Sequence, residues 1–154
     1  MLLMKIKILI LLFACHLAAP TATFAQTASQ NARVLSVAIA KFKNDKGTAV
    51  VSLFKGEEGF PKFPDKAFKR MTVQIVNRQA AAAFTNLPPG EYAVSVYHDE
   101  NGNKKLDTNF FGIPKEGVGS SNNAKGHFGP PKYTAAKFKF NGDNQTITIN
   151  IVYL

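Results

Sequence analysis

Apolar and polar residues alternate along this chain in short runs separated by turn-forming clusters. Leu35, Val37 and Ile39 alternate with Ser36, Ala38 and Ala40, the period of two expected of a strand with one buried face. Asn44-Asp45-Lys46-Gly47 is a turn signal, with Gly47 available for positive φ, and residues 48–54 are again rich in β formers. The two runs together predict a hairpin. Residues 71–76 predict a strand with Val73 and Ile75 on one face, Asn77 to Ala80 a turn, and residues 81–85 a further strand. Pro88-Pro89-Gly90 fixes a turn, because proline sets φ and glycine permits what other residues do not. Tyr92, Val94 and Val96 then alternate with Ala93, Ser95 and Tyr97, so parity carries His98 onto the inward face and Asp99 onto the other. Near the end, Ala136, Phe138 and Phe140 alternate with Lys137 and Lys139, and Asn141-Gly142-Asp143-Asn144 predicts a hairpin turn. A last strand follows over 146–154 with Ile147, Ile149, Ile151 and Tyr153 on one face. About seven strands with regular turn signals predict an all-β fold, a single antiparallel Ig-like β-sandwich.

Two stretches break the alternation. Residues 55–70 hold two glycines and two prolines and are not a regular strand. Phe60, Phe63 and Phe68 are expected to tuck this loop against the sandwich edge; an exposed aromatic patch for a ligand is the alternative. The second stretch, 98–133, is longer than loops inside compact domains usually are, and such loops are often functional. It carries the densest polar chemistry of the chain: His98, Asp99, Asn101, Asn103, Asp107, Asn122, Asn123 and His127.

The N-terminus changes the picture of where the domain works. Lys5 and Lys7 precede an apolar run that Pro20 breaks, and Thr23-Phe24-Ala25 offers small residues at the positions a signal peptidase reads. Residues 1–25 read as a secretory signal, 26–33 as a flexible leader and 34–154 as the sandwich domain. The run is short for a spanning helix, so no transmembrane segment is expected after cleavage. Cys15, the one cysteine, leaves with the signal, and the remaining chain then has no disulfide, thiolate zinc site or cysteine nucleophile. The alternative is a lipoprotein anchored through Cys15. The expected location is periplasmic or extracellular. Loss of Lys5 and Lys7 lowers the formal charge from +9 to +7. The lysines are scattered and there are only three arginines, which argues against nucleic acid and for a solubilising surface. A monomer with an unidentified envelope or extracellular partner is expected.

The segment Phe84-Thr-Asn-Leu-Pro-Pro-Gly-Glu-Tyr-Ala-Val94 resembles a stretch shared by prealbumin-like and Cna-B-type sandwiches. His98-Asp-Glu-Asn-Gly-Asn103, Leu106-Asp-Thr-Asn-Phe110, Gly112-Ile-Pro-Lys-Glu-Gly117, Ser121-Asn-Asn-Ala124 and Phe128-Gly-Pro-Pro131 follow. With them, the region 34–154 resembles the bacterial family catalogued as domain of unknown function 2141. The resemblance implies a secreted or periplasmic single-domain sandwich and supplies no catalytic residues.

Three chemistries compete for the long loop. The first is a metal site: Asp99, Asn101 and Asn103 stand at positions 1, 3 and 5, Asp107 at 9, and Lys105 offers a backbone carbonyl at 7. Alternating hard oxygens suit Ca²⁺. Lys104 stands where an EF-hand loop has glycine, Phe110 where it has a bidentate Glu, and Glu116 is the candidate to complete the shell. The competing structural reading is a turn whose Asx side chains bond their own backbone. The second chemistry is a hydrolase-type site in which His98 and His127 act with a loop carboxylate, although no serine sits in a nucleophile context. The third is a polar recognition surface made by His98, Asn122, Asn123 and His127, with Phe110 and Phe111 either contacting a ligand or anchoring the loop on the core. The reading favoured here is a non-catalytic binding or envelope accessory module supported by Ca²⁺.

Overall fold

The computed structural model describes residues 33–154. The proposed signal, the Cys15 anchor and the leader up to residue 32 lie outside them. Among the described residues no helix is long and apolar enough to cross a membrane.

Eight strands form two sheets packed as a sandwich. They are β1 (Val34–Ala40), β2 (Thr48–Phe54), β3 (Lys69–Gln74), β4 (Gln79–Thr85), β5 (Gly90–Asp99), β6 (Val118–Ser120), β7 (Phe138–Phe140) and β8 (Gln145–Asn150). One sheet has the order β4-β1-β8, the other β3-β2-β5-β6, with β7 on the first residues of β5. All pairs are antiparallel except β1 with β8, where the first and last strands run side by side from Leu35 opposite Gln145 to Ala40 opposite Asn150. The inward faces of both sheets meet in one core that includes Leu35, Val37, Ile39, Leu53, Phe84, Tyr92, Val94, Val96, Phe140 and Ile149.

Alternation located the strands but not all their partners. β1 and β2 do not form the expected hairpin: β1 pairs β4 and β8, while β2 pairs β3 and β5 in the opposite sheet. The reason is Phe42. It is buried in the core, so the 41–47 link crosses the end of the sandwich instead of folding β2 back beside β1. Asp45 holds that crossing by accepting hydrogen bonds from the Asn77 and Arg78 backbone N–H groups (3.0 and 2.6 Å).

A second expected hairpin also fails. β7 pairs β5 and β8 pairs β1, so residues 141–144 again link the two sheets. Ala136 does not begin a strand; it closes the one-turn helix α1 (Tyr133–Ala136). The eighth strand, β6, is three residues long and lay hidden inside the polar loop.

β5 positions the site. It is ten residues long, central in its sheet, and buried from Tyr92 to Asp99 without a break. Its inward face enters the core. Its other face is covered by the 55–68 loop, where Phe60 packs edge-on to Phe54 and Tyr133, and by the 99–107 loop. Phe68 is only partly covered, lying 6.1 Å from the Tyr92 ring, and Phe63 stays largely exposed, so Phe60 tucks in as expected, Phe68 in part and Phe63 does not.

Candidate functional site

At its C-terminal end β5 presents His98 inward and Asp99 outward, as parity required. The 44–47 turn closes over this end. Gly47 has φ +64°, and a Cβ there would run into the Asp99 carbonyl, so only glycine lets the turn approach β5 this closely.

His98 is wholly buried. Its Nε2 lies 2.7 Å from the Lys46 carbonyl oxygen and its Nδ1 lies 2.8 Å from the Tyr153 hydroxyl. A carbonyl only accepts, so Nε2 carries the proton and donates; Nδ1 of that tautomer accepts from Tyr153. The Tyr153 oxygen accepts in turn from the Lys43 N–H (3.0 Å). Phe42 stands edge-on to the imidazole at 5.2 Å. Both ring nitrogens are therefore occupied by the protein itself, and the ring joins the 41–47 link, β5 and the C-terminal segment. Burial pushes the Tyr153 hydroxyl above its ordinary value, which keeps it a donor. His127, the proposed catalytic partner, stands exposed in a different loop.

The 99–107 loop is closed by Asx turns. Asn101 Oδ1 accepts from the Asn103 N–H (3.0 Å) and Asn103 Oδ1 from the Lys105 N–H (2.9 Å). Both amide groups donate to the Asp107 carboxylate, at 2.7 and 3.0 Å. Asp99 Oδ2 accepts from the Lys104 N–H, position 1 to position 6 of the loop (3.0 Å). Lys104 takes the left-handed φ of +63° that the sequence pattern reserves for glycine, and Tyr97 holds its carbonyl with a 3.1 Å hydrogen bond. Glu116 is buried at the loop's foot, where its two oxygens accept from the Glu100 and Asp107 N–H groups (both 2.9 Å). The self-bonded turn is thus present, with one exception. Asp99 is 2 % exposed, yet its Oδ1 has no hydrogen-bond partner. Among the described residues no three His, Cys, Asp or Glu side chains group closely enough to hold a metal by themselves.

The remaining candidates fall apart as a single surface. Asn122 and Asn123 both adopt left-handed φ and tie chain segments together. Asn122 Nδ2 donates to the Lys137 carbonyl at 2.9 Å, and Asn123 Oδ1 accepts from the Asn150 N–H at 2.8 Å. Ser121, which sequence reasoning passed over, is fully buried; its hydroxyl donates to the Ala136 carbonyl (2.6 Å) and accepts from the Val94 N–H (2.9 Å). The alternation marks Tyr153 only as a core-face residue. Its parity with Ile149 and Ile151 was visible, but its hydroxyl contact with His98 was not. Phe110 and Phe111 do not anchor the loop on the core: they are 98 % and 84 % exposed and touch each other edge-to-face.

A family model described as an uncharacterized protein conserved in bacteria, DUF2141, matches residues 37–148. The chain belongs to this family. The match runs from the middle of β1 into β8 and so includes the whole 98–133 loop of this DUF2141 protein. No curated protein and no solved structure matches the chain.

Proposed function

We propose that this DUF2141 protein is an exported, non-catalytic binding module whose 99–107 loop takes up Ca²⁺. The observation that carries the reading is Asp99 Oδ1, a carboxylate oxygen shut away from water with no donor. Leaving such an oxygen unpaired is unfavourable, and a hard cation removes the penalty. Its other oxygen already accepts from the backbone five residues on, which turns the carboxylate toward the loop. Asn101, Asn103 and Asp107 bring further oxygens, the Lys105 carbonyl lies at position 7, and Ca²⁺ accepts such a mixed set of six to eight. Asn101 and Asn103 would turn their amides so that oxygen rather than nitrogen faces the ion. Export is supported by the signal-like pattern of residues 1–25. The hydrolase alternative loses its support at His98, whose ring has no nitrogen left for a substrate.

A thermal melt in Ca²⁺ against EDTA tests the site. At about 100 times its Kd the ion adds roughly 2.7 kcal/mol to the folded state, a rise in Tm on the order of 10 °C for a domain of this size. Asp99→Ala/Asp107→Ala should abolish the rise. Asp99→Asn should abolish it too, while leaving the EDTA melt equal or higher, because an unpaired charge has gone. A wild-type Tm that does not respond to Ca²⁺ ends the proposal.

A further inference from the structure

The exposed aromatic pair sits on a built arm. Residues 107–115 fold back on themselves, with the Lys115 N–H donating to the Asp107 carbonyl (2.8 Å), Thr108 bridged to Pro114, and the Asn109 N–H donating to the Ile113 carbonyl (2.8 Å). At the apex Asn109 does most of the work. Its side-chain oxygen accepts from the Phe111 and Ile113 N–H groups (2.9 and 3.0 Å), and its carbonyl accepts from the Gly112 N–H (2.9 Å). Four N–H groups of the tip, those of Asn109, Phe111, Gly112 and Ile113, are thereby paired internally, while Phe110 and Phe111 project almost fully into solvent with their centroids 5.6 Å apart.

Between Asp107 and Glu116 the arm itself carries only basic charge. Residues 108–115 contain no carboxylate. The nearest acids in sequence, Asp107 and Glu116, lie at its base, where the asparagine amides and backbone N–H groups hold them without cancelling their charge. Lys104, Lys105 and Lys115 are exposed and take part in none of the ion pairs among the described residues. An apolar, aromatic apex above a cationic collar is the combination that seats a peripheral protein at an anionic lipid interface. A backbone with most of its N–H groups already paired strands few of them on entering that interface.

We infer that the Phe110–Phe111 arm is a docking element for anionic phospholipid membranes. The inference does not depend on Ca²⁺ at the neighbouring loop, and its test is run in EDTA. The protein without residues 1–25, the form the proposed export leaves, is mixed with phosphatidylglycerol/phosphatidylcholine vesicles or with phosphatidylcholine alone, and the bound fraction is measured by flotation at low salt. The wild type should bind the anionic vesicles, and Phe110→Ser/Phe111→Ser should bind at least tenfold more weakly with an unchanged melt, since both side chains are exposed. Both proteins lack the apolar run of residues 1–25, so binding through it cannot mask the difference. Lys105→Gln/Lys115→Gln should lose most of the preference for anionic over neutral vesicles. Equal binding by wild type and the phenylalanine variant overturns the inference, as does no vesicle binding at all. Phenylalanine-dependent self-association in sedimentation velocity, without vesicle binding, also overturns it and makes the tip a contact between copies. Because no Ca²⁺ is present, none of these outcomes depends on whether the 99–107 loop binds metal.

Discussion

His98 and Tyr153 show what one polar pair, buried at the imidazole and half-buried at the phenol, does in this sandwich. The imidazole donates to Lys46 and accepts from Tyr153, and the phenol accepts from Lys43, so three chain segments meet on two side chains. Tyr153→Phe keeps the ring and its packing but strands His98 Nδ1 and the Lys43 N–H. The expected loss is about 1–3 kcal/mol in urea unfolding, the cost of leaving buried polar groups unpaired. A loss below about 0.5 kcal/mol would mean that water replaces the hydroxyl without penalty. Asp99, one residue on, is the opposite case: a buried carboxylate with one oxygen paired and one not. Adjacent residues on opposite faces of one strand thus divide the end of β5 between a finished structural contact and an unfinished one.

At the scale of elements, the 41–47 link decides the architecture, because it carries the chain from one sheet to the other. Gly47 is its constraint. Gly47→Ala meets both a left-handed φ, about 1–2 kcal/mol for an L residue, and the collision with the Asp99 carbonyl. Gly102→Ala at φ +74° has nothing within 4 Å and meets only the first penalty. In EDTA, Gly47→Ala should therefore be the more destabilising by at least about 1 kcal/mol, and equal losses would show that the turn relaxes freely. The same link is held to the polar loop by Glu100. The Lys43 hydrogen bond first, then that of Asn44, keeps the Glu100 carboxyl below its ordinary 4.5. A carboxyl depressed on folding contributes stability that is complete above the unfolded value and is lost as pH falls through the lower folded one. The wild-type advantage over Glu100→Gln should thus be constant from pH 7 to about 5 and shrink below about 4.5. The pair is partly exposed, so the advantage is small and also fades with salt. An advantage that persists unchanged at pH 3 would assign it to packing instead.

For the whole molecule, β5 is the axis. It joins β2 on one side and β6 and β7 on the other, is covered on both faces, and delivers its last two residues to the foot of the polar loop. The candidate ion loop and the aromatic arm share that foot through Asp107 and Glu116, so occupancy of one would stiffen the base of the other. The period-two pattern of β1 and β5, the inward parity of His98, the turn at Pro88-Pro89-Gly90 and the Asx spacing from Asp99 to Asp107 were all legible in the chain, because each depends on residues close in sequence. Which strands pair was not. Leu35–Ile39 and Val50–Leu53 both read as strands joined by a turn signal, and nothing local says that the link, with Phe42 buried in the core, carries them to different sheets. β6 escaped notice because three residues containing a glycine carry no periodic signal. Phe110 and Phe111 read equally well as anchors or as ligands' contacts, since composition does not say whether a core lies within reach. The sequence by itself determined the faces of the strands and the places where the backbone must turn. The tertiary structure decided the partners: His98 is satisfied by residues 52 and 55 positions away, Asp99 Oδ1 is left without one, and the aromatic arm is held clear of the core. Those outcomes rest on contacts between segments remote in the chain, whose positions no local pattern encodes.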